Sequence, residues 1–257
     1  MTGVAPAVAD TNWLEPPELY LMTAGAVERD RPIYQGDVFA DVPILVPPAE
    51  PPSVTRTEVA VERGPVMVLP HPCQCYSGDT LRPYLTVAPI NVVPGYHDFR
   101  PDRSGAKDKF ALPDLPSQGP NGQWLTATCV ADFGRLFSAP SSWLDLDQRV
   151  ACLSHKGLGL LAKRVLGFQL RFPSTLSAAM AYTHNEWYEA FLMQAWVRRH
   201  RSLEGYSAWL RTAIEIPTVG APGERVKPYD VRGSAYDVLL ELITGEHVDE
   251  PADEFAE

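Results

Sequence analysis

Proline is spread unevenly along this chain: nineteen of its 25 prolines fall in residues 1–122, and six in the remaining 135. Proline has no amide hydrogen to donate and fixes φ, so it interrupts helices and central strands. The first half is therefore expected to consist of short strands and loops, while the second half can hold longer helices. At 257 residues, with 45% hydrophobic and 21% charged residues, the chain can bury a real apolar core. That composition excludes a disulfide miniprotein, a collagen-like fibre and a wholly disordered chain. No uncharged apolar run approaches the roughly 18–20 residues that a membrane helix needs. No internal repeat is visible.

Residues 1–30 read as an irregular arm with a short helical turn at 17–26. Runs that are short, aliphatic or β-branched and bounded by Pro, Gly or charge predict strands at 36–39 leading into 42–46, then 57–61, 65–69, 84–90, 124–130, 133–136 and 148–153. Between the fourth and fifth of these, 91–121 reads as a long polar loop containing Arg100, Arg103, Lys107 and Lys109; loops of that length are functional or disordered. Ser154 can cap a helix whose apolar positions include Leu158, Leu161, Val165 and Phe168. A longer helix is predicted over 175–200, with apolar positions on more than one face and hence substantial burial. Helical pieces follow at 204–216 and 234–244. The expected organisation is an arm at 1–30, a strand-rich unit at 31–172, a helical region at 173–245 and an acidic tail at 246–257.

The formal net charge of −10 is concentrated at the two ends: residues 241–257 hold seven acids with no Lys or Arg, and residues 1–30 hold five acids against one Arg. The body is close to neutral, which neither requires nor excludes a polyanionic ligand, because a few clustered Arg suffice locally. The stretch HVDEPADEFAE reads as a solvated tail. Its sharper alternative is a segment that mimics nucleic acid and blocks the protein's own groove. The N-terminus lacks a basic region followed by an apolar stretch, so no signal peptide is expected. Four scattered cysteines do not make a secreted disulfide framework, so a cytoplasmic protein with reduced thiols is expected.

Several motifs come in a telling order. A Gly-Asp opens the first strand (Tyr34-Gln35-Gly36-Asp37-Val38), and a Pro-headed aliphatic strand follows (Arg63-Gly64-Pro65-Val66-Met67-Val68-Leu69). Next come a strand ending Val87-Ala88-Pro89-Ile90, the stretch from Thr128 to Leu136, and Arg149-Val150-Ala151-Cys152-Leu153-Ser154 ahead of a helix. Over roughly residues 31–171 this order resembles the PemK/MazF-like toxin family. The resemblance implies an α+β fold: a small SH3-like β-barrel with a C-terminal helical extension. Toxins of that family cut single-stranded RNA without a metal or cofactor, the 2′-hydroxyl attacking the adjacent phosphate. An Arg at the head of the Pro-headed strand and a Thr or Ser after Ala-Pro-Ile serve that chemistry, which needs a positive donor for the charge developing on phosphorus and a group that moves protons. Arg63 takes the Arg position, displaced by Gly64. Asn91 takes the Thr/Ser position but has no hydroxyl. The same fold also serves non-cleaving binding proteins, and the family's barrels dimerise.

His71-Pro72-Cys73-Gln74-Cys75 is the most unusual local sequence. The two prolines flanking His71 suggest a rigid turn at a strand end, with His71 as the proton-transfer group beside Arg63 and Asn91. Cys-x-Cys is atypical for zinc, whose cysteines are usually spaced by two to four residues; buried thiols, or a nucleophilic Cys73 with His71 as base, are the other readings. Arg56, Arg100, Arg103, Arg135 and Arg149 are the candidate phosphate contacts, against surface ion pairs with Asp132, Asp145 or Asp147 as the plainer reading. Rings at Tyr96, His97 and Phe99 beside Arg100 and Arg103 give a mixture that single-strand binders use, diluted by interleaved Asp. His184 and Tyr188 lie one helical turn apart and could line a pocket, and Arg198-Arg199-His200-Arg201 suits a helix C-terminus. Walker, Gly-x-Gly-x-x-Gly, Gly-x-Ser-x-Gly and His-Glu-x-x-His patterns are absent. Two functions are therefore expected in parallel. One is a toxin-like, nucleic-acid-associated protein acting as a metal-independent endoribonuclease on RNA. The other is a non-catalytic module that binds a protein partner through 91–121 or through the helices after Pro173.

Overall fold

Strands that bury one face alternate apolar and polar residues, whereas strands buried on both faces read as continuous aliphatic runs. The runs in the proline-rich half are of the second kind. The computed structural model describes residues 16–23, 26–46, 60–93, 108–118, 124–169, 176–217 and 219–245. Its elements are α1 (Pro16–Leu19), β1 (Tyr20–Thr23), β2 (Val38–Val46), β3 (Ala60–Val68), α2 (Pro72–Cys75), β4 (Tyr76–Ser77), β5 (Thr80–Leu81), β6 (Tyr84–Val92), β7 (Lys109–Gln118), β8 (Trp124–Asp132), β9 (Phe137–Pro140), β10 (Arg149–Leu153), α3 (His155–Gln169), α4 (Leu176–His200), α5 (Tyr206–Arg211), β11 (Ile214–Glu215), β12 (Arg225–Val226), α6 (Pro228–Val231) and α7 (Tyr236–Thr244).

Eight strands form one antiparallel sheet in the order β1-β10-β2-β3-β6-β8-β7, with β9 also on β6. Its two end strands meet where the Tyr20 hydroxyl of β1 donates to the Pro113 carbonyl of β7 at 2.9 Å, and the sheet curls into a nearly closed barrel. The fold is thus α+β, a small barrel with a C-terminal helical extension.

Val38, Met67, Ala88 and Ile90 pack with Phe110 and Leu112 of β7 and Leu158 and Leu161 of α3. Their neighbours in sequence, Phe39, Val66, Val68 and Val87, face a second cluster with Ala139 and Leu144. A third cluster joins α4, α5 and α7 through Leu192, Leu210, Leu239 and Ile243, and takes in Tyr34 from the barrel side. No helix among the described residues is long and apolar enough to cross a membrane.

Ser154 caps α3 as its sequence predicts: its Oγ accepts from the Gly157 N–H at 3.0 Å and donates to the Glu18 carbonyl. Helix α4 follows the predicted span closely. Several expectations are corrected. The arm is not irregular throughout, because β1 pairs with β10, Tyr20 opposite Leu153. The expected loop at 91–121 contains β7, paired along β8. Pro113 falls within the register slip between Leu112 and Leu115, and β7 ends the sheet, paired on one side only, which is where proline is tolerated in strands. The runs at 57–61 and 65–69 belong to one strand as far as it is described, β3, which passes through Gly64 and Pro65. Residues 133–136 begin with a 3₁₀ turn, Phe133–Arg135, and the strand starts only at Phe137. The helix expected at 204–216 is confined to α5, after which β11 pairs with β12. The tail at 246–257 lies outside the described residues.

Candidate functional site

Strand register decides which of the expected site residues can meet. β3 and β6 pair antiparallel, with Val66 opposite Pro89, Met67 opposite Ala88 and Val68 opposite Val87, and the Leu69 N–H donates to the Thr86 carbonyl at 3.1 Å. Continuing that register puts Arg63 and Asn91 beyond one end of the paired segment and His71 beyond the other. His71 is eight positions beyond Arg63, and the described part of β3 from Arg63 to Val68, at ~3.3 Å per residue, by itself spans about 16 Å. The expected trio is split, because the strand headed by Arg63 carries the chain away to His71.

Arg63 is already engaged at its own end. Its Nε donates to Asp41 Oδ1 at 2.7 Å, and its Nη2 to Asp41 Oδ2 at 2.8 Å and to the Asp41 carbonyl at 2.6 Å. Asp41 adopts φ 53° within the irregularity where the β2–β3 register slips between Phe39 and Val42. The fork-to-carboxylate geometry is the strong form of this contact. Hydrogen bonds from Arg63 hold the Asp41 carboxyl below its ordinary pKa. Asn91 is exposed in β6 opposite Val130 of β8.

At the other end His71 and Cys73 do come together, with His71 Nδ1 3.0 Å from Cys73 Sγ. The neighbouring thiol turns away: Cys75 is buried and directs its Sγ to the Pro70 carbonyl at 3.5 Å, while Cys73 is exposed. Short helix α2 thus gives its two cysteines different surroundings. Burial pushes the Cys75 thiol up to about 12, Cys129 to about 11 and Cys152 to about 12. Among the described residues no group of three or more His, Cys, Asp or Glu is placed to hold a metal ion.

Arg149, expected at a phosphate or in a surface pair, does neither. It is buried, and its Nη1 donates to Asp37 Oδ2 at 2.9 Å and to the Pro32 carbonyl at 3.1 Å. Its Nη2 donates to the carbonyls of Arg31 and Glu28 at 2.5 and 3.0 Å. Asp37 also accepts from Arg31 Nη1 at 2.5 Å and from the Tyr34 N–H at 2.9 Å. The acid of the Gly-Asp motif is therefore the centre of a buried Arg31–Asp37–Arg149 triad, and sequence reasoning missed both of its partners. Arg135 stays exposed at the end of the 3₁₀ turn, while the nearby Asp132 pairs with Lys109 at 2.6 Å. Arg56, Arg100 and Arg103 lie outside the described residues, as do Tyr96, His97 and Phe99. Of the His184–Tyr188 pair, only Tyr188 has a described side chain; its ring lies 4.6 Å from that of Tyr236.

A group that sequence reasoning took for a plain helix end gains neighbours in space. Trp196 of α4 lies 4.0 Å from His200 and 5.5 Å from Trp209 of α5, between ring centroids. Both tryptophans are only partly buried. The signal for this cluster was the Trp196 to His200 spacing of one helical turn, but the contribution of α5 needed the fold. No protein-family model, curated protein or solved structure matches the chain.

Proposed function

We propose that this protein is a non-catalytic protein-protein interaction module, in which the barrel is the scaffold and the helical extension after Pro173 carries the contact surface. The placement of Arg63 and His71 beyond opposite ends of the Val66–Val68 pairing with β6 carries this reading. Cleavage of RNA by its own 2′-hydroxyl needs a proton-transfer group and a cationic donor at one phosphate. At the Arg63 end the guanidinium is bound to Asp41, and Asn91 supplies an amide that neither takes up nor releases a proton at neutral pH. Arg149 is spent inside the barrel. The endoribonuclease reading that comes with the resemblance to PemK/MazF-like toxins therefore lacks paired groups among the residues it names. Four free thiols agree with a reducing, cytoplasmic setting.

The test is incubation of purified protein with mixed single-stranded RNA in EDTA. The RNA is expected to stay intact at high protein excess and to show no salt-dependent binding. Fragments ending in cyclic phosphate, produced by the wild type and not by Arg63→Ala, would overturn the proposal.

A further inference from the structure

The turn between β3 and β4 brings a nucleophile and a base together: His71 Nδ1 lies 3.0 Å from Cys73 Sγ. Prolines 70 and 72 flank His71. A residue that precedes proline is held in extended backbone, and His71 sits there at φ −53° and ψ 145°. Its carbonyl accepts from the Gln74 N–H at 2.7 Å, which closes the turn and keeps Cys73 beside the imidazole. The backbone thus sets the pair in place before any reagent arrives. Cys73 is exposed, whereas Cys75, Cys129 and Cys152 are buried. Cys75 also points its thiol away, to the Pro70 carbonyl at 3.5 Å.

A cation belongs to the same region. The Arg82 N–H donates to the Cys75 carbonyl at 2.8 Å, and its guanidinium is within electrostatic reach of the Cys75 thiol. Arg82 is exposed and forms no ion pair among the described residues. The acids of this region are engaged elsewhere: Asp79 accepts from the Gly205 and Ser207 N–H groups, and Asp37 is held by Arg31 and Arg149. An exposed thiol with a base at hydrogen-bond distance and an unpaired cation nearby suits a small disulfide that carries carboxylates. We propose that Cys73 is a site of reversible S-thiolation by a low-molecular-weight, carboxylate-bearing disulfide, with His71 as base and Arg82 as the anchor of the carboxylate. His71 Nδ1 takes the Cys73 proton, Sγ attacks one sulfur of the disulfide, and the S–S bond breaks. The leaving thiolate recovers that proton from the imidazole, so one thiol and one disulfide give one mixed disulfide and one thiol. Because Cys75 is buried and faces Pro70, the adduct persists instead of closing to an internal disulfide. This site is separate from the helical surface proposed above.

The test is incubation of the reduced full chain with glutathione disulfide at about pH 7, followed in time by peptide mass spectrometry. The adduct is expected on Cys73 alone, reversed by dithiothreitol, and formed faster than on the same thiol in the urea-unfolded chain. His71→Gln should slow its formation roughly tenfold. It should also steepen the pH dependence between about pH 6 and about pH 9, because the thiol must then lose its proton to solvent. Arg82→Ala should slow the reaction with glutathione disulfide about threefold. It should not slow the reaction with cystamine, which carries ammonium groups in place of carboxylates. Protection of Cys75, Cys129 and Cys152 from iodoacetamide in each variant reports that the fold is kept. A folded wild type that reacts no faster than the unfolded chain or than His71→Gln would overturn the proposal, as would a Cys73–Cys75 disulfide in place of the adduct. Arg82→Ala reacting like the wild type, or slowed equally with both reagents, would overturn the carboxylate assignment.

Discussion

Asp37 carries more of the buried charge balance than any other described side chain. It is fully buried between Arg31, 2% exposed, and Arg149, 5% exposed, so one carboxylate faces two guanidiniums. Removing one member of a buried ion group leaves uncompensated charge and costs about 3–5 kcal/mol. Asp37→Ala is accordingly expected to lower the urea midpoint sharply, whereas Arg63→Ala, at the exposed Asp41 pair, should leave it unchanged. The cysteines give a second expectation. Cys73 is exposed and the other three are buried, so iodoacetamide should label Cys73 in the folded protein and the rest only after unfolding, as read by peptide mass spectrometry. The buried thiols also set a pH dependence. Their ordinary value is 9.0, and burial raises them to about 12, 11 and 12 for Cys75, Cys129 and Cys152. Above about pH 9 the unfolded chain releases thiol protons that the folded chain retains, so stability falls with rising pH. A urea midpoint that stays flat from about pH 8 to about pH 11 would contradict this. At this scale the Gly-Asp motif marked Asp37 in the sequence. Its partners were illegible because Arg149 lies 112 positions away and nothing local distinguishes a buried Arg from a surface one.

Helix α3 is held at its start by Ser154 and by the absence of a side chain at Gly157. A Cβ at Gly157 would run into the carbonyl of Leu19 in α1. Ser154→Ala should cost about 1 kcal/mol through the lost cap. Gly157→Ala gains helix propensity but forces α1 and α3 apart, and overpacking of that kind costs ~1–3 kcal/mol; a stabilised Gly157→Ala in urea melts would refute the close approach. The cap was readable because capping is local and its spacing fixed. β7 was not. Its described buried residues are Phe110, Leu112, Leu115 and Pro116, and the register slip between Leu112 and Leu115 breaks the alternation that signals a strand. Asp114 at φ 50° and two prolines then make the segment look like a loop.

Barrel and helical extension are joined by polar ties as well as by apolar packing. Asp79, between β4 and β5, accepts from the Gly205 and Ser207 N–H groups at 2.9 and 2.7 Å, which caps α5 from the barrel side. Arg198 of α4 reaches back to Asp30 at 2.7 Å, and Tyr34 is buried in the helical cluster. Heat is therefore expected to unfold both parts in one transition, with tryptophan fluorescence and far-ultraviolet circular dichroism coinciding. Asp79→Ala should lower the midpoint by about 2–4 °C without splitting it; two separated transitions in the wild type would refute the coupling.

The sequence by itself determined the division of the chain into a strand-rich front and a helical rear, because proline placement and hydrophobic period act over a few residues. It also determined most strands, the cap of α3 and the span of α4, for the same reason. Tertiary structure alone decided that Arg149 turns inward to Asp37, that Arg63 and His71 face different ends of one strand, and that α5 brings Trp209 to Trp196. Those outcomes depend on strand register and on which distant segment fills each face, and neither is encoded in the spacing of neighbouring residues.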